Sequence, residues 1–577
     1  MRFIETMKQD IEERLLKALS LSQKNGEVSF QTLPQFIIEM PKEKGHGDFA
    51  TNIAMVMAKE ARMAPRKIAE SILSHLEITG SYIAKTEVAG AGFINFFLNN
   101  QWLNDVPKAV HEMGANYGTV EDGLGKKVQV EFVSANPTGL LHMGNARGGA
   151  IGDSLANLLK AAGYTVEKEF YINDAGNQIV LLGTSLDIRY CELLGETRDF
   201  PEQGYHGEDI KATAKHYLDE FGTDLREKPQ AQREAILCDY ALKEKLKSIK
   251  EVMALYGVEF DVWFSEKTLH ESGKVKATLD YLLEKGYAYE KDGSILLKAE
   301  NSGEVKAPQK ESAKGDFVNL EDKDDVLVRA NGIPTYFAAD IAYHKDKFDR
   351  GFDKVINIWG ADHHGHVARM KRSVGFFGYD PDNLTVILMQ LVKLYRNGEL
   401  VRMSKRSGQY VTLEDLIAEV GYDAARYFFV MRNPDSAMDF DLDLAKSKTS
   451  ENPVFYVQYA HARICSILRQ AEAKGFALPD FTTVDYSLLQ DEHEIELMKK
   501  LADLPEEIAE AADSLEPHRL CPYLHDLASS FHSFYNHCRV IDVEEPLRNS
   551  RLGLAKATAI AIKNVLKILG VHAPNEM

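Results

Sequence analysis

Two stretches of the 577-residue chain carry residues suited to work on phosphate. The first is His142-Met143-Gly144-Asn145, just inside a helix. The second is Arg402-Met403-Ser404-Lys405-Arg406, with three positive charges in five residues beside a flexible Ser407-Gly408. A helix start presents free backbone N–H groups and a positive dipole end, both suited to an anion. An imidazole, an amide and a loop-borne lysine could add positive charge and hydrogen bonds around a reacting phosphate.

The elements that must position the first stretch are legible. Val128, Val130 and Phe132 alternate with Gln129 and Glu131, the period of a strand. Ser134 to Gly139 is a turn of Ser, Asn, Pro and Gly. A helix follows, with Leu155, Leu158 and Leu159 on one face and Gly163 as its stop. Strand, polar turn, helix is how an α/β fold opens a nucleotide site. Gly144, Gly148 and Gly149 are read as removing side chains where a ligand approaches. The spacing is wrong for G-x-G-x-x-G, and G-x-x-x-x-G-K-[ST] is absent. The basic stretch precedes Thr412, a candidate N-cap with Asp415 three residues on.

Length and composition bound the rest. A chain this long implies three or four domains. A hydrophobic fraction of 45% and a charged fraction of 27% are ordinary for a globular protein. No run of about 18 apolar residues exists, so no membrane span is expected, and the amphipathic N-terminus lacks a signal-peptide core. Cys191, Cys238, Cys465, Cys521 and Cys538 form no C-x-x-C pair, which favours reduced thiols in a cytoplasm. Cys521, His525, His537 and Cys538 match no common zinc spacing, so neither a structural zinc nor any other protein-held metal is expected. A net charge of −19 requires any nucleic-acid contact to use local basic stripes.

Along the chain, a first unit covers residues 1–115, with Asp48 as a candidate cap for the helix after it and a β-like tail from Tyr82 to Leu98. The α/β unit covers residues 116–450. In it, Asn173, Asp174 and Asn177 sit at a strand-to-helix junction, as ligand groups or as caps. Residues 196–256 read as a helical insertion between the two halves of the fold. Lys306 to Asp316 reads as a polar loop and Asn331-Gly332 as a hairpin turn. Tyr336 and Asp340 share one helix face. V-I-N-I-W-G-A-D-H-H-G-H is a buried strand ending in a polar loop; adjacent strand residues point to opposite faces, which argues against His363 and His364 sharing a metal. A helical unit covers residues 451–577, with Val454, Val457, Ile464, Ile467 and Leu468 as its apolar stripe. Its Tyr456 and Tyr459 are core or base-stacking residues.

S-A-N-P-T-G-L-L-H-M-G-N, N-D-A-G-N-Q, G-A-D-H-H-G and R-M-S-K-R, in this order, resemble the arginyl-tRNA synthetase family of class I enzymes. Asn145 stands where the HIGH signature usually has His, and Arg402 and Arg406 depart from the K-M-S-K-S pattern. The resemblance implies a Rossmann-like α/β catalytic domain with a parallel sheet and a signature loop at 400–410. It also implies an N-terminal α+β domain touching the tRNA elbow and a C-terminal all-α anticodon-binding bundle. It implies ligation of arginine to tRNA through an arginyl-adenylate, using ATP with Mg²⁺ and no structural zinc. Catalytic roles fall on His142, Asn145 and Lys405. ATP contacts fall on His142, Gly144, Asn145, His363, His364, Met403, Ser404 and Lys405. Arginine contacts fall on Glu131, Ser134, Asn136, His142, Tyr336 and Asp340, with the two acids taking the guanidinium. Asn95, Tyr456, Tyr459 and Met577 fall on tRNA, with the aromatics near Phe93 and Phe96 as RNA contacts or core. A cytoplasmic monomer without membrane contact is expected. Two rivals stay open: a HIGH-type nucleotidyltransferase making a small activated product, and a non-catalytic tRNA-binding relative.

Overall fold

The computed structural model describes residues 2–41, 43–299, 324–401 and 411–577. The chain forms two compact units. One holds residues 123–448 and 569–571; the other holds 1–122, 449–568 and 572–577.

The α/β unit is built on a five-stranded parallel sheet. Its elements in chain order are β1 (Lys127–Glu131), α1 (Met143–Ala161), β2 (Thr165–Ile172), α2 (Asn177–Leu193), α3 (Glu208–Phe221), α4 (Gln230–Leu255), β3 (Val262–Ser265), α5 (Tyr336–Asp349), β4 (Lys354–Gly360), α6 (His364–Phe376) and β5 (Leu384–Met389). The strand order is β5-β4-β1-β2-β3. The order reverses between β1 and β4, and such a switch point opens a crevice outside the strands' carboxyl ends. β1 is central, so its polar residues are covered as well as its valines: Gln129 is fully buried and Glu131 is 5% exposed.

α1 is flanked by His142 as N-cap and Ala162 as C-cap, and the next residue, Gly163, takes a φ of 90° that a side chain would resist. Gly148 and Gly149 face the packed interior, against Met389, Val133 and Tyr256, so they serve helix-on-sheet contact and not ligand approach as expected from sequence. Gly152 is the tightest of the group: a Cβ there would lie 2.1 Å from the Phe132 ring. Gly152→Ala is therefore expected to destabilise the unit by about 1–3 kcal/mol, read as a lowered urea midpoint.

The segment 196–256 does not join the two halves of the sheet. α2, α3 and α4 pack on one another between the neighbouring strands β2 and β3, around Leu186, Tyr190, Tyr217 and Leu237. Asp187 inside this packing accepts two bonds from the Arg233 guanidinium. The link between halves is the later stretch from β3 to β4, which includes the hairpin Ala288–Lys291 and Ser294–Leu297. The Asn331-Gly332 turn forms, with Asn331 Oδ1 accepting from Ile333 N. The polar loop 306–316 and the signature residues 402–410 lie outside the described residues.

In the other unit, the N-terminal and C-terminal segments expected as separate domains fold together. Tyr117, 1% exposed, donates to the carbonyl of Leu501, and Asn564 donates to the carbonyls of Gly114 and Tyr117. Asp48 is not a helix cap, because the next helix starts at Ile53 behind Asn52. Its carboxylate instead accepts from Leu98 N and pairs with Lys499. The β-like tail is the hairpin Ile83–Ala89 and Phe93–Leu98 of a four-stranded antiparallel sheet.

Candidate active site

The carboxyl ends of β1 and β4 meet at the switch point. After β1 the backbone turns through Val133 at φ 67° and Ser134 at φ 38°. A β-branched residue there stores roughly 1–3 kcal/mol of strain. The turn is held because Ser134 donates to Glu131 Oε1 at 2.8 Å and accepts from Tyr171 N at 3.1 Å. Asn136 is exposed at the mouth and donates to Gln178 at the start of α2.

His142 is the N-cap of α1. Its Nδ1 accepts from Gly144 N at 3.1 Å, so a neutral ring carries its proton on Nε2. A Cβ on Gly144 would meet the His142 ring at 3.1 Å, which is why glycine stands there. Asn145 Oδ1 accepts from His142 N at 3.0 Å and completes a capping box. Asparagine thus uses its carbonyl to close the helix start and keeps an N–H₂ group as donor.

The signature loop is anchored beside this point at one end. Thr412 forms a bridge with His142, and Leu413 N donates to Leu141 O at 3.0 Å. Thr412 and Asp415 form the capping box expected from sequence. At the other end, Val401 N donates to Leu394 O. Met403, Ser404 and Lys405 themselves lie outside the described residues.

His363 and His364 are exposed directly after β4, His364 opening α6. They lie at the switch-point edge, as does His142. Among the described residues no group of three or more His, Cys, Asp or Glu is placed to hold a metal. Cys538 is buried and its thiol is pushed up to about 12 by burial and by Glu494 and Asp491. No disulfide joins any of the five cysteines.

The acids are arranged differently from the expected pair. Glu131 does not wait for a ligand: Oε2 is held by the fully buried Lys347 and Oε1 by Ser134. Asp340, on the same α5 face as Tyr336, is partly open, and Oδ2 accepts from His366 Nε2 at 3.1 Å. The Tyr336 hydroxyl lies against Gly176, where an added Cβ would approach it to 3.0 Å. Glu266, 3% exposed, faces the same space. Its carboxyl is pushed up by burial, pulled down by a hydrogen bond from Tyr171, and pushed up again by Asp340. Asn173, with its amide turned, donates to Glu266 at 3.0 Å and to the carbonyl of Ala175 at 3.3 Å. Asp174 does not cap α2, whose N-cap is Gly176; its carboxylate accepts from Ser265 Oγ and Lys267 N, where β3 ends. Glu266, His366 and Lys347 were missed from sequence. The H-x-x-R spacing of His366 and Arg369 was the only local signal, and Arg369 does reach His366 Nδ1 at 3.4 Å.

In the helical unit, Tyr459 is 43% and Met577 56% exposed. Tyr456 is half-buried and stacks on His525 with centroids 5.0 Å apart. The Arg463 guanidinium lies 4.4 Å over Tyr535. Asn95, by contrast, is 3% exposed in the middle of its sheet and Phe96 is fully buried, while Phe93 is half-buried. Burial between the flanking strands removes Asn95 and Phe96 as ready RNA contacts.

A doubly wound parallel sheet whose two central strands both end in donor-rich helix starts defines a nucleotide-binding enzyme of the Rossmann-like class. Comparisons with known proteins give the family. The model for the arginyl tRNA synthetase N terminal domain matches residues 5–98, that for the class I (R) tRNA synthetase catalytic domain matches 109–465, and that for the DALR anticodon binding domain matches 457–577. An arginine–tRNA ligase of Desulforamulus reducens is 54% identical over 100% of this chain and 99% of its own length. One of Desulfitobacterium hafniense is 56% identical over 99% of both. The arginyl-tRNA synthetase structure of Thermus thermophilus, 22% identical, shares the fold with a TM-score of 0.72 over 99% of this chain and 100% of its own. The chain belongs to the class I arginyl-tRNA synthetase family.

Proposed function

We propose that the chain ligates L-arginine to tRNA(Arg) with ATP, through an arginyl-adenylate. The observation that carries the reading is the meeting of three elements at one switch point: the His142 helix start, the His363-His364 edge after β4, and the Thr412 anchor of the signature loop. The arginine carboxylate attacks the α-phosphate of ATP and pyrophosphate leaves. The terminal ribose hydroxyl of tRNA then attacks the adenylate carbonyl, and AMP leaves. The protein supplies no nucleophile. His142, the Asn145 amide and Lys405 align the phosphates and offset their growing charge. Gly144, Met403 and Ser404 shape the same path, and His363 and His364 meet the adenosine. Mg²⁺ enters as part of the substrate, on the triphosphate.

Asp340 and Tyr336 hold the guanidinium, with Glu266 as a second acid facing it and Ser134 and Asn136 serving the α-amino end. Charge and donor geometry fit: guanidinium has five planar donors and Asp340 has an oxygen turned from His366. Glu266→Gln is expected to raise the arginine KM about tenfold with the ATP KM unchanged, measured in tRNA charging. Exposed Tyr459 and Met577, with Tyr456 behind them, take anticodon bases, each stacked base adding about 1–3 kcal/mol. The three matched segments support three functional segments, 1–115 for the tRNA elbow, 116–450 for chemistry and 451–577 for the anticodon, the first and last within one compact unit. The reaction is assigned to a monomer in the cytoplasm.

Charging of total tRNA with each radiolabelled amino acid tests the reading. Arginine alone should become tRNA-linked, and only with ATP. A product formed without tRNA would favour a nucleotidyltransferase, and tRNA binding without charging would favour a non-catalytic relative.

A further inference from the structure

Lys347 is the buried cation of the amino-acid site, and nothing in the reaction as derived above uses it. It lies on α5, is fully buried, and its ammonium touches groups from two neighbouring strands: Glu131 Oε2 of β1 and Asn357 Oδ1 of β4, the latter at 2.9 Å. Glu131 and Asn357 are register partners in the sheet, so the ammonium sits directly over the switch point. The Tyr343 ring lies 4.4 Å beneath it.

The bonds continue in both directions. Asn357 Nδ2 donates to His344 Nε2 at 2.6 Å, and His344 Nδ1 donates to the carbonyl of Asp340 at 2.8 Å. On the other side, Glu131 Oε1 takes the Ser134 hydroxyl, and Ser134 Oγ takes the Tyr171 N–H. One chain of hydrogen bonds therefore runs from Asp340, through Lys347, to the strained turn at Val133 and Ser134. That turn and Asp340 are the two walls between which an amino acid would lie.

We propose that Lys347 is a positioning residue of the amino-acid site, tying the Glu131 carboxylate and the strained turn after β1 to the helix that carries Asp340. Lys347 supplies Glu131 with its counter-charge, so the guanidinium of the substrate is left to the acids on the open side. This rests on the arginine-binding reading above. The bonds of the tie join Glu131, Ser134, Asn357 and His344 to the helix that carries Asp340, so its effect is expected on the amino acid.

The test uses the full-length chain carrying Lys347→Met together with Glu131→Gln, and each single variant. The double variant buries no unpaired charge and is the one expected to fold in any case. Its arginine KM should rise about 10–100-fold, with the ATP KM changed by less than about twofold. Each single variant that folds should shift the arginine KM in the same direction, and the double should be no worse than the more damaging single, because the pair acts as one unit. In the same double variant the Tyr171 amide should lose hydrogen-exchange protection, a readout that does not depend on which substrate is used. An unchanged arginine KM, equal rises for arginine and ATP, or undiminished protection at Tyr171 overturns the proposal. Failure of the unaltered chain to charge arginine would instead strike the functional reading, while the Tyr171 measurement still decides whether the tie exists.

Discussion

Replacing Asp340 by Asn raises the arginine KM about thirtyfold or more while the ATP KM stays within about twofold. Asp340 presents its carboxylate from the α5 face it shares with Tyr336, and His366 Nε2 holds Oδ2 in place at 3.1 Å. The side chain is 36% exposed, so a ligand can reach it. Asparagine keeps the shape but loses the charge and turns a donor toward a ligand made only of donors. Truncating a desolvated charge pair costs about 2–5 kcal/mol, which sets the thirtyfold floor. Binding that is equal in ground and transition states appears in KM, so kcat should move less. Measurement of both KM values in tRNA charging checks it; equal effects on arginine and ATP would remove Asp340 from the arginine site.

His142→Asn lowers kcat about a hundred- to a thousandfold with small changes in either KM. The imidazole has two jobs that this substitution separates. Nδ1 caps the helix by accepting from Gly144 N, and asparagine is itself a favourable N-cap, so the helix start survives. Nε2 is the ring's other nitrogen, placed by this account to donate to a phosphate that gains charge in the transition state, and the shorter amide does not reach the same point. Single-turnover adenylate formation in the presence of tRNA reads the chemical step, and an unaltered melting temperature excludes loss of fold. A kcat within about threefold of the parent would leave the helix start with no catalytic part.

Local patterns were legible, and pairings distant in sequence were not. The strand-turn-helix from β1 to α1, the Asn331-Gly332 turn and the Thr412–Asp415 capping box each depend on residues a few positions apart, and each formed as read. Glu131 falls in the strand read from hydrophobic alternation, which proves to be central. What could not be read was its partner, since Lys347 is 216 positions away and an isolated lysine in a helix normally signals a solvated face. Glu266 escaped for the same reason: its role comes from Tyr171 and Asn173, at the end of β2, and from Asp340 on α5. The glycines of α1 misled because close approach of helix to sheet and close approach of ligand to helix require the same residue type. Asp48 misled likewise, since a short polar side chain before a helix is the cap pattern, yet its acceptors went to Leu98 and Lys499. The placement of 196–256 between β2 and β3 depends on strand order, which periodicity does not carry.

The most direct test is a crystal structure of the chain with a non-hydrolysable arginyl-adenylate analogue. The account predicts the phosphate within hydrogen-bond reach of His142 Nε2 with the Lys405 ammonium closing over it, the adenine beside His363 and His364, and the guanidinium on Asp340 while Lys347 keeps Glu131. A guanidinium seated on Glu131 with Lys347 displaced, or a phosphate bound away from the α1 start, would contradict it.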